Sequence, residues 1–324
     1  MAAERIRVLN RHLVPSQPAA NATAAAAAVS LARDFIYTLN NPRFTLEQRQ
    51  FYEDNGYIVF PRLVGEELLD ECADRFRALC DGKVERGAIT LMADVSLRQK
   101  GAKGEYLYNK AQDIVYDDVF SKYILLPEVL DIVECITGPN IMAMHTMLIN
   151  KPPDSGALTS KHPLHQDLHY FPFRPADRIV ASWTAMEQVT EANGCLVVVP
   201  GSHRGVLMPH GYPKWENGVN KAYHGVINCD NVPTINLEME KGDTVFFHPL
   251  LLHGSGVNRT QGFRKAISCH YAASECEYID VRGTTQEIIA EEIKEMAKRK
   301  GFEADFTDLW RYRSRLARGQ HMNL

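Results

Sequence analysis

Apolar positions follow a helical period in the first third of the chain and a strand-like period after residue 140. Leu68, Cys72, Phe76 and Leu79 fall four, four and three apart, which places them on one face of a helix. Thr45-Leu46-Glu47-Gln48 has the form of a capping box and predicts a short helix ending at Asn55-Gly56, followed by a strand over Tyr57 to Phe60 that Pro61 closes. Residues 81 to 106 lack a period and predict a loop with short strands. A second helical region spans roughly 117 to 137, interrupted by Pro127 and closed by Gly138-Pro139. Beyond it, Ile141 to Asn150, Arg178 to Val189, Cys195 to Val199, Thr244 to Phe247 and Lys265 to Ala272 read as strands. Turns such as Asn193-Gly194 and Pro200-Gly201-Ser202-His203 separate them. Thr284-Thr285-Gln286-Glu287 caps a helix to about Lys300 with Ile289, Ile293 and Met296 inward, and residues 307 to 318 predict a last, Arg-rich helix. The pattern predicts one α+β domain over 43–324, a β-sandwich or barrel with helices packed outside it.

Composition narrows the function classes. Among 324 residues, 45% are hydrophobic and 23% charged, which excludes global disorder. Lys plus Arg number 36 against 40 acids, a formal charge of -4, so a generally basic nucleic-acid binder is not expected. No apolar run approaches the ~20 residues of a membrane-spanning helix. The seven cysteines are odd in number, form no CxxC pair and sit in apolar stretches, as expected of reduced core thiols.

Residues 1–30 stand apart: a basic start is followed by the Ala-rich stretch Ala19 to Ala28, without the apolar h-region of a secretory signal. Arg5-Ile6, five residues, then His12-Leu13 resembles the N-terminal peroxisomal targeting signal. On a helix, Arg5, Val8, Leu9, His12 and Leu13 share a face suited to a receptor groove. The segment reads as an address and linker, with the peroxisomal matrix as destination and an import receptor as partner.

No nucleophile elbow, P-loop, dinucleotide fingerprint or H-E-x-x-H occurs. Histidine is conspicuous in His162-Pro-Leu-His-Gln-Asp-Leu-His169. In an extended chain His165, Asp167 and His169 point to one side, giving an imidazole and a carboxylate as adjacent ligands. A third ligand from a distant strand would complete a facial triad suited to Fe(II), with positions left open. Lys241 to Gly256 reads as a turn, a buried strand and a loop containing both His248 and His253, either of which could be that ligand. Arg264, eleven residues after His253, heads the next strand, and a buried arginine asks for an anion that its fork can hold bidentately. H-x-D, then 86 residues to His253 and 11 to Arg264, is the order found in iron- and 2-oxoglutarate-dependent oxygenases.

From Arg43 to the C-terminus the chain resembles the phytanoyl-CoA dioxygenase family of those oxygenases. The resemblance is carried by Gly138 to Asp154, His162 to Arg174, Trp183 to Glu187, Met239 to Gly256 and Thr260 to His270. It implies a double-stranded β-helix (jelly-roll) core with flanking helices. His165, Asp167 and His253 would be the iron ligands, and Arg264 with Ser255 would hold the distal carboxylate of 2-oxoglutarate. Lys110, Met147 and Trp183 would line the cosubstrate site, with Gln166 beside it. Retention of Asp167, which related halogenases replace with a small residue, implies hydroxylation.

The family activity is 2-hydroxylation of a 3-methyl-branched acyl-CoA, phytanoyl-CoA. It is coupled to conversion of 2-oxoglutarate into succinate and carbon dioxide, supported by ascorbate, and feeds fatty acid α-oxidation. Lys151, Lys161, Lys214 and Lys221 are candidates for the CoA phosphates. The basic run Lys294 to Arg318 is read first as a solvated helix pair packed by Trp310 and Tyr312, with contact to CoA phosphates, a membrane surface or another protein as its other uses. His145, His203, His224 and His270 are assigned to packing or hydrogen bonding. Rival readings are an oxygenase of the same family with another substrate, a non-catalytic metal-binding β-sandwich, and a zinc hydrolase using His162, His165 and His169.

Overall fold

The computed structural model describes residues 34–93, 97–98, 100–154, 160–213, 223–229, 232–299, 301, 303 and 305–324. In chain order the elements are α1 (Leu46–Asn55), β1 (Tyr57–Phe60), α2 (Glu66–Cys80), β2 (Thr90–Ala93), β3 (Tyr108–Gln112), α3 (Phe120–Ile124), α4 (Pro127–Thr137) and β4 (Ile141–Lys151). They continue as β5 (His162–His165), β6 (Phe173–Arg174), β7 (Ile179–Ala185), β8 (Leu196–Val198), β9 (His210–Gly211), β10 (Gly225–Val226), β11 (Ile235–Leu237), β12 (Thr244–Phe247) and β13 (His253–Ser255). The last are β14 (Arg264–Ala273), β15 (Glu277–Tyr278), α5 (Glu287–Arg299), α6 (Phe306–Arg313) and β16 (Arg315–Arg318).

The helix boundaries follow local chemistry. Thr45 accepts from the Gln48 amide while Gln48 caps the Thr45 amide in return, and Gly56 ends α1 at φ 77°. Pro127 opens α4, where its missing N–H costs nothing, and Gly138 closes it. The α2 face is Leu69, Cys72, Phe76 and Leu79. Leu69, not Leu68, is the buried start of that stripe. The predicted helix over 307–318 divides: α6 stops at Arg313, and Arg315–Arg318 is an edge strand antiparallel to β4. Pairing with an exposed strand edge there outweighs helix propensity.

Two antiparallel sheets form the core. The larger runs β1-β12-β7-β14-β4-β3-β2 with β16 also on β4, and the smaller runs β11-β8-β13-β5. Alternation along β14 decides which residues meet what. Ile267, Cys269 and Tyr271 face α2 and α4 in one apolar cluster, so the helices cover the outer face of the large sheet. Truncating such a buried side chain, Phe76 for example, would cost ~3–5 kcal/mol. The other phase of the strand, Arg264, Ala266, Ser268 and His270, faces the interior.

A bulge at Met144 breaks the register between β4 and β14, since His270 opposes His145 while Tyr271 opposes Ala143. It keeps Met142 with the second interior cluster around Trp310 while turning His145 toward His270. The interior face is covered on one side by the smaller sheet, whose Leu196 and Val198 pack in one cluster with Trp183 and Phe247 of the larger sheet. On the other side α5 and α6 cover it through Ile289, Phe306 and Trp310. The site lies between these two covers.

All seven cysteines are free thiols, six of them buried. Among the described residues no helix is long and apolar enough to cross a membrane.

Candidate metal centre and anion site

His165 ends β5 and His253 begins β13, and the two residues are directly paired across these strands. Backbone pairing therefore sets the separation of the two imidazoles. Gly254 permits the pairing to be close: a Cβ there would sit 2.8 Å from the His162 carbonyl oxygen. Asp167 follows on a single turn of 3-10 helix, Asp167–Tyr170, which bends the chain back so that the carboxylate meets both rings. The ligand atoms of His165, Asp167 and His253 all lie within 4.8 Å of one another, and all three residues are buried.

The tautomers are set by the backbone. His165 Nδ1 lies 2.9 Å from the Pro163 carbonyl and His253 Nδ1 lies 3.0 Å from the Leu251 carbonyl. A carbonyl only accepts, so each Nδ1 carries the proton and each Nε2 lone pair is bare. The two Nε2 atoms face the same Asp167 oxygen, Oδ1, at 3.3 and 3.6 Å. Burial, ahead of the opposing effect of Asp167, lowers His253 to about 4, so this ring is neutral at neutral pH. Burial alone would raise Asp167, but His253 and His270 hold it well below the usual carboxylate range. Three acceptors converging without a proton between them make a cation site, and two imidazoles with one carboxylate are the donor set of a facial triad.

Three further positions complete the picture. His270 Nε2 bonds the other Asp167 oxygen, Oδ2, at 2.8 Å, and so fixes the plane of the carboxylate. Sequence reasoning gives His270 a hydrogen bond without naming this partner. The signal exists, because His270 lies six residues after Arg264 on one strand and therefore on the same face. The Gln286 side-chain amide, just before α5, donates to the carbonyls of Leu168, His169 and Phe171 and clamps the 3-10 turn. No sequence spacing links Gln286 to that turn. Gln166 lies between the ligands but turns away, bonding Val206, Met208 and Leu250 backbone atoms, which makes it a tie between loops.

Rows across the large sheet place the remaining candidates. Trp183, Ser268, Met147 and Gln112 oppose one another on β7, β14, β4 and β3, and Lys110 shares the Gln112 face. Lys110 Nζ lies 4.9 Å from the Tyr223 ring. Ser255 follows His253 by two residues on the same face of β13.

Arg264 is 1% exposed. Its Nη2 donates to the Gly194 carbonyl at 2.9 Å and its Cζ lies 5.1 Å from the Trp183 ring, while Nε and Nη1 have no partner. Burial lowers it to about 10, still charged at neutral pH. Lys151 opposes Arg264 across the strands and is buried too, donating to the carbonyls of Ser160 and Gly256. Burial first, then Arg264, pushes Lys151 well below its ordinary value. A buried guanidinium with two free donors is a receptor for a carboxylate.

Several expectations fail for physical reasons. His169 does not face the cluster, because the 3-10 turn rotates it away to meet His224 Nδ1 at 3.0 Å. The grouping of His162, His165 and His169 is therefore not formed. Lys151 is spent on buried carbonyls and is no surface ligand for phosphate. Tyr312 does not pack beside Trp310 but is 71% exposed. His248, the other candidate ligand, bonds Asp177 at 3.3 Å and the Leu250 amide. Lys161 is half-buried. Lys214, Lys221 and the targeting residues Arg5, Ile6, His12 and Leu13 lie outside the described residues.

Comparison with known proteins gives one family. Residues 52–266 match the family described as phytanoyl-CoA dioxygenase (PhyH). Peroxisomal phytanoyl-CoA dioxygenase of Mus musculus is 54% identical across 100% of this chain and 98% of its own length. The Homo sapiens protein of that name is 52% identical over the same shares. A probable phytanoyl-CoA dioxygenase of Caenorhabditis elegans is 54% identical, covering 89% of this chain and 97% of that protein. Among solved structures, the epimerase SnoN with Fe3+, alpha ketoglutarate and nogalamycin RO aligns at TM-score 0.56 and 19% identity, over 72% of this chain and 85% of that one. EctD from S. alaskensis with 2-oxoglutarate and 5-hydroxyectoine aligns at TM-score 0.55 and 16% identity, over 76% and 83%. These structures share the jelly-roll fold.

Proposed function

The chain belongs to the phytanoyl-CoA dioxygenase family, and from that premise we propose that it is a peroxisomal Fe(II)- and 2-oxoglutarate-dependent dioxygenase. Its reaction is the 2-hydroxylation of phytanoyl-CoA with conversion of 2-oxoglutarate to succinate. The observation that carries the reading is the pairing of two features in one interior: the His165, Asp167 and His253 donor set, and the buried Arg264 guanidinium with unpartnered Nε and Nη1.

In this reading His165 and His253 through Nε2, with the Asp167 carboxylate, would hold iron, which when bound would supply the oxidation of 2-oxoglutarate and substrate by dioxygen. Backbone carbonyls hold both imidazoles in the metal-binding tautomer, and His270 keeps the Asp167 plane fixed. Arg264 and Ser255 bind the distal carboxylate of 2-oxoglutarate. That contact orients the cosubstrate by its far end and leaves its keto-acid end free to face the donor set. Trp183 and Met147, 3% and 8% exposed, wall the space between and keep water from it. Lys110, its Nζ 4.9 Å from the Tyr223 ring, lines the same space.

The 43–324 segment acts as one catalytic domain. Residues 1–30 address it to the peroxisomal matrix through an import receptor, tested by fusing them to a reporter and scoring peroxisomal against diffuse signal. The decisive assay supplies anaerobically loaded Fe(II) protein with 2-oxoglutarate, air and phytanoyl-CoA, and quantifies succinate and 2-hydroxyphytanoyl-CoA by mass spectrometry. Matched formation of both is expected. Succinate without hydroxylated acyl-CoA would reassign the substrate.

A further inference from the structure

Past the C-terminal end of β3, against the end of α6, lies a cleft of about 340 Å³ whose walls include Asp113, Val115, Tyr116, Arg311, Tyr312 and Arg313. Two tyrosines stand exposed in it, Tyr116 at 57% and Tyr312 at 71%. Tyr116 is held as a fixed platform by its hydroxyl, which donates to the Ser314 carbonyl at 2.7 Å. Arginines lie nearby. Arg315 has Cζ 5.7 Å from the Tyr116 ring and donates to the Val115 carbonyl at 3.0 Å, and Arg311, solvent-facing, pairs with Asp308 at 3.3 Å and has Cζ 4.9 Å from the Tyr278 ring. Arg313 is different: it sits deeper and is neutralised by Asp113 at 2.9 Å. Basic residues in the last turn of α6 suit its C-terminal dipole whatever else they do. That dipole does not account for two large aromatic faces left in water beside them. Aromatic faces next to guanidinium groups are the chemistry that binds a nucleotide, the base by stacking and the phosphates by charge.

The cleft adjoins the strand that carries Lys110. Asp113 follows Lys110 by three residues, about 10 Å along the strand. A line of packed side chains joins the donor set to the cleft wall: Asp167 to His270 at 2.8 Å, His270 to His145 and His145 to Trp310 at 5.5 Å each, and Trp310 to Arg313 at 5.8 Å. The pantetheine arm of CoA is equivalent to about four extended residues, roughly 14 Å. We propose that this cleft holds the 3′-phospho-ADP end of CoA, with adenine against Tyr116 and Tyr312 and phosphates against Arg311 and Arg315. The thioester then reaches past Lys110 into the interior. The proposal deepens the acyl-CoA reading above and rests on it.

The test uses the full-length Fe(II) protein with two substrates, phytanoyl-CoA and phytanoyl-pantetheine, which lacks the nucleotide. Tyr312→Ala and Arg311→Ala alter exposed side chains. Each should raise KM for the CoA ester about 10-fold, the scale of one lost stack or phosphate contact, and leave KM for the pantetheine ester unchanged. Adenosine 3′,5′-bisphosphate should compete with phytanoyl-CoA in the unaltered protein and compete poorly in the variants. Unchanged KM for the CoA ester in both variants, or equal rises for both esters, would overturn the assignment. Equal KM for the two esters in the unaltered protein would also overturn it, while leaving the substrate reading intact. No turnover of either ester would instead sink the acyl-CoA reading itself.

Discussion

Replacing Arg264 with methionine should separate cosubstrate binding from stability. In the ligand-free protein the guanidinium makes one hydrogen bond, to Gly194, and its Nε and Nη1 are unpartnered in a fully buried site. Removing it forfeits that bond, about 1 kcal/mol. It also removes a buried charge without an anion, which works in the opposite direction. The two effects nearly cancel, and Tm without 2-oxoglutarate should stay close to that of the unaltered protein. With 2-oxoglutarate the balance differs. Two charge-assisted hydrogen bonds to the distal carboxylate, each worth ~1.5–3 kcal/mol, are lost, which is roughly 3–6 kcal/mol or about a 10²- to 10⁴-fold weaker Kd. The assay is anaerobic thermal unfolding against 2-oxoglutarate at fixed Mn(II), a redox-silent occupant of the metal site. At a hundredfold excess over Kd the unaltered protein should gain about 2.7 kcal/mol, and the variant at the same concentration under about 0.5. An equal ligand-induced rise in both proteins would refute the carboxylate role of Arg264. A collapse of the variant's ligand-free Tm would refute the cancellation.

Three further outcomes follow from the geometry. His253→Ala should abolish stoichiometric Fe(II) binding in an anaerobic titration, whereas His248→Ala should retain it and lose only fold stability, about 1–3 kcal/mol by urea unfolding, through its bond to Asp177. Gly254→Ala should weaken Fe(II) binding at least 10-fold, because its Cβ meets the His162 and Pro163 carbonyls at 2.8 and 3.1 Å and forces β13 from β5; unaltered affinity in the same titration would show that the strands can yield. The third concerns pH. Burial, then His248, lowers His203 to about 4 in the folded state, against ~6.5 when unfolded. Because the unfolded chain takes up the proton first, stability is complete above pH ~6.5 and falls as pH drops toward 4. His203→Asn should reduce that slope in denaturant titrations of the metal-free protein, and an unchanged slope would exclude His203 as a contributor.

Much of the scaffold is legible in the amino-acid sequence, because its signals are local. The Thr45 capping box, the Pro127 and Gly138 boundaries and the strand runs of β4, β7, β12 and β14 each depend on neighbours within a few residues. The buried thiols and the alternation that gives Arg264 and His270 one face are equally local. Histidine and aspartate at i and i+2, with a distant histidine and arginine, indicate the chemical class for the same reason: metal and carboxylate sites need those residue types.

What the tertiary structure decided is everything set by contact between distant segments. The choice between His253 and His248 depends on which one strand pairing brings opposite His165. Arg315–Arg318 became a strand because β4 offered an unpaired edge, and His169 turned from the donor set because the 3-10 turn rotates it past Asp167. Gln286, more than a hundred residues from the turn it clamps, and the bulge at Met144 that aims His145 leave no trace in local pattern. Side-chain direction inside a core is settled by register and packing across the sheet, which local periodicity does not encode.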